Sequence, residues 1–228
     1  MKNNIISIFL ITQIFAFGGF GVYGNIDSFS ATPEATTSGS VTVTPQSLDG
    51  AAGIGLFFYL DILPIVDLQI DYEIVGNAYK FTTNVGSENI GEFPWGRVSG
   101  YYTLRKELIG ASIPFLAKVQ VYGGLGYNTH TVTPAVTVNF IRDAFTQSLQ
   151  SLEDAAGQDF SDDAIMNSLV EYMTDNAIKT SGFHLQVGAQ AKLLMLNVFA
   201  NARYTIANDV IEGKSGFPSL WTGIAIGF

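Results

Sequence analysis

The sequence has no cysteine and only two histidines among its 228 residues. Without cysteine, a disulfide framework, thiolate catalysis and cysteine-ligated metal sites are all excluded. Charged residues are also scarce, at 14% of the chain against roughly 25% in soluble domains. The net charge of -9 disfavours a nucleic-acid partner. Glycine and aromatic residues are abundant instead, as is typical of strands that cross a bilayer.

Long apolar runs are missing as well. The longest, residues 5–17, follows Lys2 and ends near the small residues Ala16 and Gly18. This pattern predicts an export signal over residues 1–18 and a mature domain over residues 19–228. Since no other stretch approaches the 18 or so apolar residues of a membrane helix, a membrane-spanning mature chain would have to be a closed β-barrel.

Apolar and polar residues alternate in eight segments. Strand side chains point to opposite faces in turn, so each segment predicts a strand with one aliphatic face and one polar or small-residue face. The segment 183–193 alternates without a fault, with Leu185 and Val187 on one face and His184 and Gln186 on the other. The predicted strands are residues 19–29, 52–62, 66–79, 97–106, 115–130, 183–193, 196–207 and 219–228.

The predicted connections fall into two classes. Short links lie around Leu63-Pro64, Ile109-Gly110 and Leu194-Met195, whereas the other connections are longer and more polar. Short turns at one end and long loops at the other are typical of outer-membrane barrels. The predicted fold is therefore an all-β, eight-stranded antiparallel up-and-down transmembrane β-barrel.

Aromatic residues near the strand ends are expected to form membrane girdles. The fifth predicted strand would climb roughly 28 Å between its terminal aromatics at a tilt of about 45°, close to the roughly 25 Å apolar band of such barrels. The girdle candidates are Trp95, Tyr102, Phe115, Tyr127, Phe183, Tyr204 and Phe228.

Alternation leaves open which face lines the interior, and a soluble lipocalin-like barrel would bury the aliphatic one. Glycines on the polar face, the unequal connections and the terminal Phe228 favour a polar interior. Such a lumen would hold charges of both signs, which must pair when buried. The predicted network, a salt-bridged plug with no open channel, comprises Asp61, Asp67, Asp71, Glu73, Arg105, Lys118, Lys192 and Arg203.

Residues 137–178 break the strand period and predict a helical insertion in the loop between the fifth and sixth strands. Phe140, Ile141 and Leu149 belong to one apolar helical stripe, and Ile165 and Met173 belong to a second. We expect this insertion to cap the barrel mouth, to dock an extracellular partner or to gate the entry of an apolar ligand. The Ser-, Thr- and Pro-rich segment 32–48 is expected to be a flexible loop.

The two histidines, His130 and His184, are predicted at the extracellular rim. They could form a metal pair or an acid–base group, or they could simply bind the loops by hydrogen bonds. Ser181 lies close to His184 in sequence, but no nucleophile motif surrounds it. We therefore expect no catalytic residue, cofactor or metal site.

The export signal, the eight alternating strands, the loop asymmetry and the terminal Phe228 together resemble the small outer-membrane barrels of the OmpA membrane-domain, OmpX and OmpW type. The resemblance covers residues 19–228. It implies contact with outer-membrane lipid and recognition of Phe228 by the barrel-assembly machinery. Since fold does not fix function, three functions remain open: a non-enzymatic barrel with a capping or recognition loop, a carrier or channel for small hydrophobic molecules, and a lipid-modifying enzyme.

Overall fold

The structure is a computed structural model, and it describes residues 18–61, 65–84, 92–113, 116–146 and 171–227. The strands of the described residues are β1 (Gly18–Ala31), β2 (Thr36–Ser38), β3 (Val41–Pro45), β4 (Leu48–Leu60), β5 (Asp67–Thr83), β6 (Glu92–Ile113), β7 (Ala117–Val132), β8 (Ile178–Leu193), β9 (Leu196–Ile211) and β10 (Lys214–Gly227). Eight of them pair antiparallel in chain order, and β1 pairs with β10 to close the sheet. The predicted barrel is confirmed. The expected export signal lies almost wholly outside the described residues.

The polar face of every barrel strand points inward. On β5, Asp71 and Glu73 are 0% and 1% exposed. Tyr72 and Ile74, which alternate with them along the strand, are more than half exposed. The aliphatic face therefore covers the outside of the barrel, which is the reverse of a soluble lipocalin-like arrangement. No helix among the described residues is long and apolar enough to cross a membrane.

The strands are strongly staggered around the barrel. Gly227 on β10 has a cross-strand partner on β1, that residue has a partner on β4, and so on around the barrel. After all eight strands, this path returns to β10 at Phe217, which is ten residues away from Gly227 in sequence. In eight strands this stagger corresponds to a tilt of roughly 40°. The end that carries the β8–β9 turn at Leu194 and Met195 is called the short-turn end below, and the opposite end is called the long-loop end.

Two expected loops at the long-loop end contain strands. The segment 32–48, expected to be flexible, contains the β2–β3 hairpin, which turns at Gly39 (φ +61°) and pairs with the end of β5. Its alternating Val and Thr residues favour a strand. The loop expected between residues 207 and 219 is the end of a long hairpin, because β9 and β10 continue to Ile211 and Lys214.

The predicted helical insertion is only partly helical where it is described. Helix α1 (Val138–Thr146) begins after Thr137, whose hydroxyl accepts a hydrogen bond from the Phe140 amide at 3.0 Å, as an N-cap does. Residues 171–175 are helical too, but β8 already begins at Ile178. Most of the second predicted stripe lies outside the described residues.

The short link expected at Ile109 and Gly110 is also strand. β6 runs on to Ile113, past an irregularity between Glu107 and Ile109 where the pairing with β7 shifts by one residue. Leu108 is the extra residue of this β-bulge. The β6–β7 hairpin is therefore longer than predicted. The expected link at Leu63 and Pro64 lies outside the described residues.

Candidate functional site: the lumen and the chamber above it

Two arginines and three carboxylates form an ion-pair network inside the barrel. Arg203 on β9 contacts Asp71 on β5, and it lies 3.5 Å from the second carboxylate oxygen of Glu73. Arg97 on β6 contacts Asp27 at 2.7 Å and Glu73 at 2.8 Å. All five residues are at most 2% exposed. Glu73 thus links the two guanidinium groups, one through each of its oxygens.

This network reaches from one wall of the barrel to the other. In the closed sheet, three strands separate β5 from β9 in either direction. The contact between Arg203 and Asp71 therefore spans the diameter of the lumen. Such a barrel is just wide enough for side chains to fill its interior.

The three carboxylates outnumber the two guanidinium groups, and neutral donors supply the remaining hydrogen bonds. Each carboxylate accepts one: from Tyr23 Oη to Glu73 (2.9 Å), from Gln69 Nε2 to Asp71 (2.6 Å) and from Asn25 Nδ2 to Asp27 (2.9 Å). Hydrogen bonds to a charged group are stronger than neutral ones, so they offset part of the cost of burying the extra negative charge.

A second guanidinium site lies nearer the short-turn end. Arg105 is fully buried and contacts Asp61 at 2.8 Å through Nη2. Among the described residues, its Nε and Nη1 have no hydrogen-bond acceptor. Instead, the guanidinium carbon lies 4.8 Å from the ring centre of Tyr122 and 5.3 Å from that of Tyr59, which are cation–π distances. These rings belong to an aromatic-rich buried cluster of Tyr23, Phe57, Tyr59, Tyr122, Phe199, Trp221 and Ala225.

The structure brings some of the predicted network residues together but separates others. Asp71, Glu73 and Arg203 meet, and so do Asp61 and Arg105. Asp67 is the register partner of Arg105, at the start of β5. Lys118 pairs with Glu107 at 3.0 Å, partly exposed at the short-turn end, and Lys192 is its register partner on β8.

Sequence reasoning missed Asp27 and Arg97, which share the central network. The signal was present in the alternation. Asp27 has the opposite parity to Val22 and Ile26 on the aliphatic face of β1, so it faces inward. Arg97 has the opposite parity to Val98 on β6, so it faces inward as well.

Both histidines lie deeper than the predicted rim. His130 and His184 are 3% and 1% exposed, and both rings meet the Tyr101 ring edge to face. His130 Nδ1 lies 2.8 Å from Ser99 Oγ, and Nε2 lies 2.9 Å from Asn128 Oδ1. Since an amide oxygen only accepts, Nε2 donates to it and Nδ1 accepts from the serine hydroxyl.

These contacts do not make an accessible catalytic site. Ser99, His130 and Asn128 are all at most 3% exposed. Ser181 is exposed on the outer face of β8, opposite to His184. Among the described residues, no group of three or more His, Cys, Asp or Glu side chains could hold a metal ion.

Four of the girdle candidates are exposed on the outer face: Tyr102 (49%), Tyr127 (44%), Phe183 (67%) and Tyr204 (49%). Trp95 does not belong to this group. It is 7% exposed and packs edge to face on Phe29 inside the long-loop end, because its parity on β6 is that of the inward Arg97. Phe115 and Phe228 lie outside the described residues.

The long-loop end has an apolar core of its own. Inward side chains of the extended strands pack with Val43 of the β2–β3 hairpin, with Phe140 of α1 and with Met173 of the helical residues 171–175. Arg97 lies 4.8 Å over the Phe217 ring at the bottom of this core. Toward the long-loop end, the polar lumen is therefore followed directly by an apolar compartment, with Arg97 and Phe217 in contact at the boundary.

Residues 133–138 form a strap over this compartment. The Gly96 amide donates to Thr133 Oγ1 and the Thr133 amide donates to the Gly96 carbonyl, both at 3.0 Å. The Val136 amide donates to Tyr79 Oη at 3.0 Å, and the Val138 amide donates to Thr36 Oγ1 at 2.9 Å. The strap is therefore anchored to three different strands, β2, β5 and β6.

A chamber of about 910 Å³ lies between the strap and the β9–β10 hairpin. It falls within the size range of ligand-binding pockets. Its wall combines apolar and aromatic side chains with a few polar ones: Ala31, Leu48, Tyr79, Trp95, Val132, Phe140, Ile178, Val210, Ile211, Asn139, Asn176, Asn208, Asp209, Glu212 and Lys214. Burial raises the pKa of the Tyr79 phenol to about 12.

Comparison with known proteins identifies the fold. No protein-family model and no curated protein matches the sequence. Among solved structures, the outer membrane protein OprG from Pseudomonas aeruginosa matches with a TM-score of 0.50 at 12% identity, over 93% of each chain. Ail of Yersinia pestis matches with a TM-score of 0.45 at 10% identity, over 94% of this chain and 99% of that one. Neisserial surface protein A gives 0.43 at 11% identity, over 93% and 97%. The closed eight-stranded sheet and the match to OprG show that the chain has the fold of the small eight-stranded outer-membrane barrels.

Proposed function

We propose that this chain is a non-enzymatic outer-membrane barrel that does not conduct and that presents a recognition structure outside the cell. The observation that supports the membrane location most strongly is the inverted placement of side chains. Ile54, Leu125 and Leu220 are more than 60% exposed on the outer face, while the arginines are buried inside. Exposed apolar surface of this extent is typical of a lipid contact.

The short-turn end then faces the periplasm and the long-loop end faces the outside. To test this, we would insert an epitope tag in the segment 147–170 and, in a second variant, next to Leu194. Antibody should bind the first tag on intact cells and the second tag only after the outer membrane is permeabilised. Equal labelling of both tags on intact cells would contradict the proposed orientation.

The lumen is closed by its own side chains. This is supported by the ion pair between Arg203 and Asp71, which crosses the full diameter, and by the aromatic cluster around Arg105. In planar bilayers the protein should give no steady conductance on the nanosiemens scale. A variant with both Arg203→Ala and Arg105→Ala tests whether a conducting pathway appears once these two side chains are shortened.

A second candidate function is the binding or carriage of a small apolar molecule in the chamber. The chamber's volume and its wall of Trp95, Tyr79, Val210 and Ile211 favour this function. The fluorescent apolar probe N-phenyl-1-naphthylamine should bind to the protein in detergent-free nanodiscs. Ala31→Trp, which fills the chamber, should abolish this binding. Ala78→Trp, on the exposed surface of β5 at the same end, should leave it unchanged.

A further inference from the structure

We propose that Tyr79 is a ligand-binding residue of the chamber, and that the chamber takes a neutral molecule whose apolar body carries an oxygen that accepts a hydrogen bond from the Tyr79 hydroxyl. This inference rests on the second candidate function, the binding of a small apolar molecule. It adds the chemical class of that molecule and the residue that selects it.

The chamber has an apolar floor and a polar mouth. Its amide and charged side chains, such as Asn139, Asn208 and Glu212, are exposed and therefore lie at the mouth. Among the buried lining residues that the structure describes, Tyr79 and Trp95 alone have a polar side-chain atom. The indole of a tryptophan can only donate a hydrogen bond. A ligand that reaches the floor therefore meets apolar surface and hydrogen-bond donors.

The Tyr79 hydroxyl uses only part of its hydrogen-bonding capacity within the protein. A phenol hydroxyl has one proton to donate and two lone pairs that accept. The Val136 amide donates to one of these lone pairs at 3.0 Å. Among the described residues, no group accepts the hydroxyl proton. The proton is therefore available to a ligand, or to a water molecule that a ligand would displace.

The hydroxyl group of Tyr79, and not only its ring, lies at the chamber wall. Its partner Val136 is placed in the strap between Ala135 and Thr137, which both line the chamber. Burial raises the pKa of the phenol, and the carboxylate of Glu212, another lining residue, raises it further. The hydroxyl group is thus located where the strap comes close to the β9–β10 turn.

This donor discriminates against molecules that have no acceptor. A ligand that enters the chamber displaces the water that accepts the Tyr79 proton. A carbonyl, ether or hydroxyl oxygen on the ligand restores the hydrogen bond. A hydrocarbon leaves the buried donor unpaired, which is unfavourable. Between two molecules of the same shape, the chamber therefore selects the one with the oxygen acceptor.

The electrostatic environment favours a neutral acceptor over an anion. A carboxylate on the ligand could also accept the Tyr79 proton, but it would lie near the Glu212 carboxylate. Because Glu212 disfavours the phenolate form of Tyr79, it also disfavours a ligand anion at the same place. Lys214 lines the chamber too, but it is not among the groups that shift the pKa of the phenol.

Two probes that differ in one oxygen test the hydrogen bond. The fluorescent ketone prodan has a naphthalene body and a carbonyl group, and in its matched analogue a methylene group replaces the carbonyl. Both are titrated into the protein in nanodiscs, and Ala31→Trp, which fills the chamber, gives the signal of probe dissolved in lipid. In Tyr79→Phe, the ratio of the two affinities should shift by about fivefold toward the analogue. A looser strap weakens the binding of both probes, so it cancels in this ratio.

The control variant is Tyr72→Phe, on the outer face of the same strand, which should leave the ratio unchanged. Folding of each variant is checked by heat-modifiable gel mobility. A second measurement needs no variant of Tyr79. The infrared carbonyl stretch of isotope-labelled prodan should lie at lower frequency in the unmodified protein than in Ala31→Trp, because a hydrogen bond weakens the carbonyl bond.

The outcomes separate this proposal from the function on which it rests. If neither probe binds above the level of Ala31→Trp, the chamber does not bind apolar molecules and the second candidate function is wrong. If both probes bind but Tyr79→Phe leaves their ratio unchanged, or the carbonyl stretch does not shift, Tyr79 only holds the strap. The proposal is then wrong, while binding of apolar molecules in the chamber stands.

The preference for a neutral ligand is tested with the naphthalene carboxylate that matches prodan. It should bind at least about tenfold more weakly than prodan to the unmodified protein. Glu212→Gln, whose amide oxygen can still accept the hydrogen bond from Glu34, should narrow this difference by about threefold. The control Asp49→Asn removes an exposed carboxylate outside the chamber and should leave the difference unchanged. Equal binding of the carboxylate and the ketone would contradict the preference for a neutral ligand.

Discussion

Arg203 on β9 and Asp71 on β5 form an ion pair that crosses the lumen between directly opposite strands. Both side chains are fully buried. The pair therefore connects two walls that share no backbone hydrogen bond, in an interior where an unpaired charge is costly. Glu73 extends this connection to Arg97 on β6, and Arg97 also contacts Asp27 on β1, so that four barrel strands are joined through one network.

Removing Arg203 should strongly destabilise the barrel. In Arg203→Met, Asp71 loses its guanidinium partner and Glu73 keeps only Arg97, so we expect the free energy of unfolding to fall by about 3–5 kcal/mol. Urea titration of the protein in lipid vesicles, followed by gel mobility without heating, measures this loss. A decrease of less than about 1 kcal/mol in the free energy of unfolding would mean that the network contributes little to the stability of the barrel.

The double variant Arg203→Met/Asp71→Asn distinguishes charge pairing from packing. It removes both charges, and the amide oxygen that replaces the Asp71 carboxylate can still accept a hydrogen bond from Gln69. We expect it to regain at least half of the stability lost in the single variant, because no uncompensated charge remains at position 71. If the double variant is as unstable as the single one, the cost arises from the lost packing of the arginine side chain.

Two neighbouring glycines should differ sharply in their tolerance of a side chain. A Cβ on Gly55 would overlap the Tyr23 ring, whereas a Cβ on Gly24 would meet no atom within 4 Å. Gly55→Val should therefore displace Tyr23 from Glu73 and cost about 1–3 kcal/mol. Gly24→Val, on the outer face of the adjacent strand, should change stability by less than about 0.5 kcal/mol. Urea midpoints of the two variants test this, and equal midpoints would be contrary to the close packing of Tyr23.

Sequence alone predicted well which residues of a strand face inward and which face outward, since the outward face must be apolar wherever a strand is surrounded by lipid. This requirement fixes the inward positions of residues such as Gln186 and Glu73. The same rule would have identified Asp27 and Arg97 and would have excluded Trp95 from the girdle. The inward and outward parity of a strand continues beyond the part where its alternation is most regular.

The strand ends were predicted less well for a physical reason. Beyond the apolar belt, the outer face no longer contacts lipid, so both faces can carry polar residues and the alternation fades. Lys179 and Ser181 on β8 are examples, because both are exposed and continue a strand that the pattern started only at Phe183.

The contacts between distant segments could not be predicted from the pattern. The strap over the chamber depends on hydrogen bonds such as that from Val136 to Tyr79, 57 residues apart in sequence. The bulge at Leu108 depends on the register between β6 and β7. Neither leaves a periodic signal, because each depends on how two segments pair.

Loss of the Tyr79 hydroxyl should loosen the strap without unfolding the barrel. In Tyr79→Phe, the buried Val136 amide loses its acceptor, which costs about 1–3 kcal/mol locally. We expect faster hydrogen exchange in the peptide that contains Val136 and an unchanged gel mobility. Tyr72→Phe, at an exposed position on the outer face of the same strand, is the control and should exchange like the unmodified protein. Equal exchange in the two variants would mean that another contact holds the strap.

The same phenol should make the strap sensitive to alkaline pH. The pKa of Tyr79 is about 12 when it is buried and about 10 when it is exposed. Its contribution to stability is therefore complete below pH 10 and is lost as the pH rises from 10 to 12, by up to about 3 kcal/mol. A fluorophore on Asn139→Cys, an exposed position next to the strap, should become more mobile over this range in fluorescence anisotropy. In the Tyr79→Phe background, the fluorophore should already be more mobile at pH 8 than it is in the protein with Tyr79, and its mobility should change little up to pH 12. If both backgrounds show the same alkaline transition, a different group controls the strap.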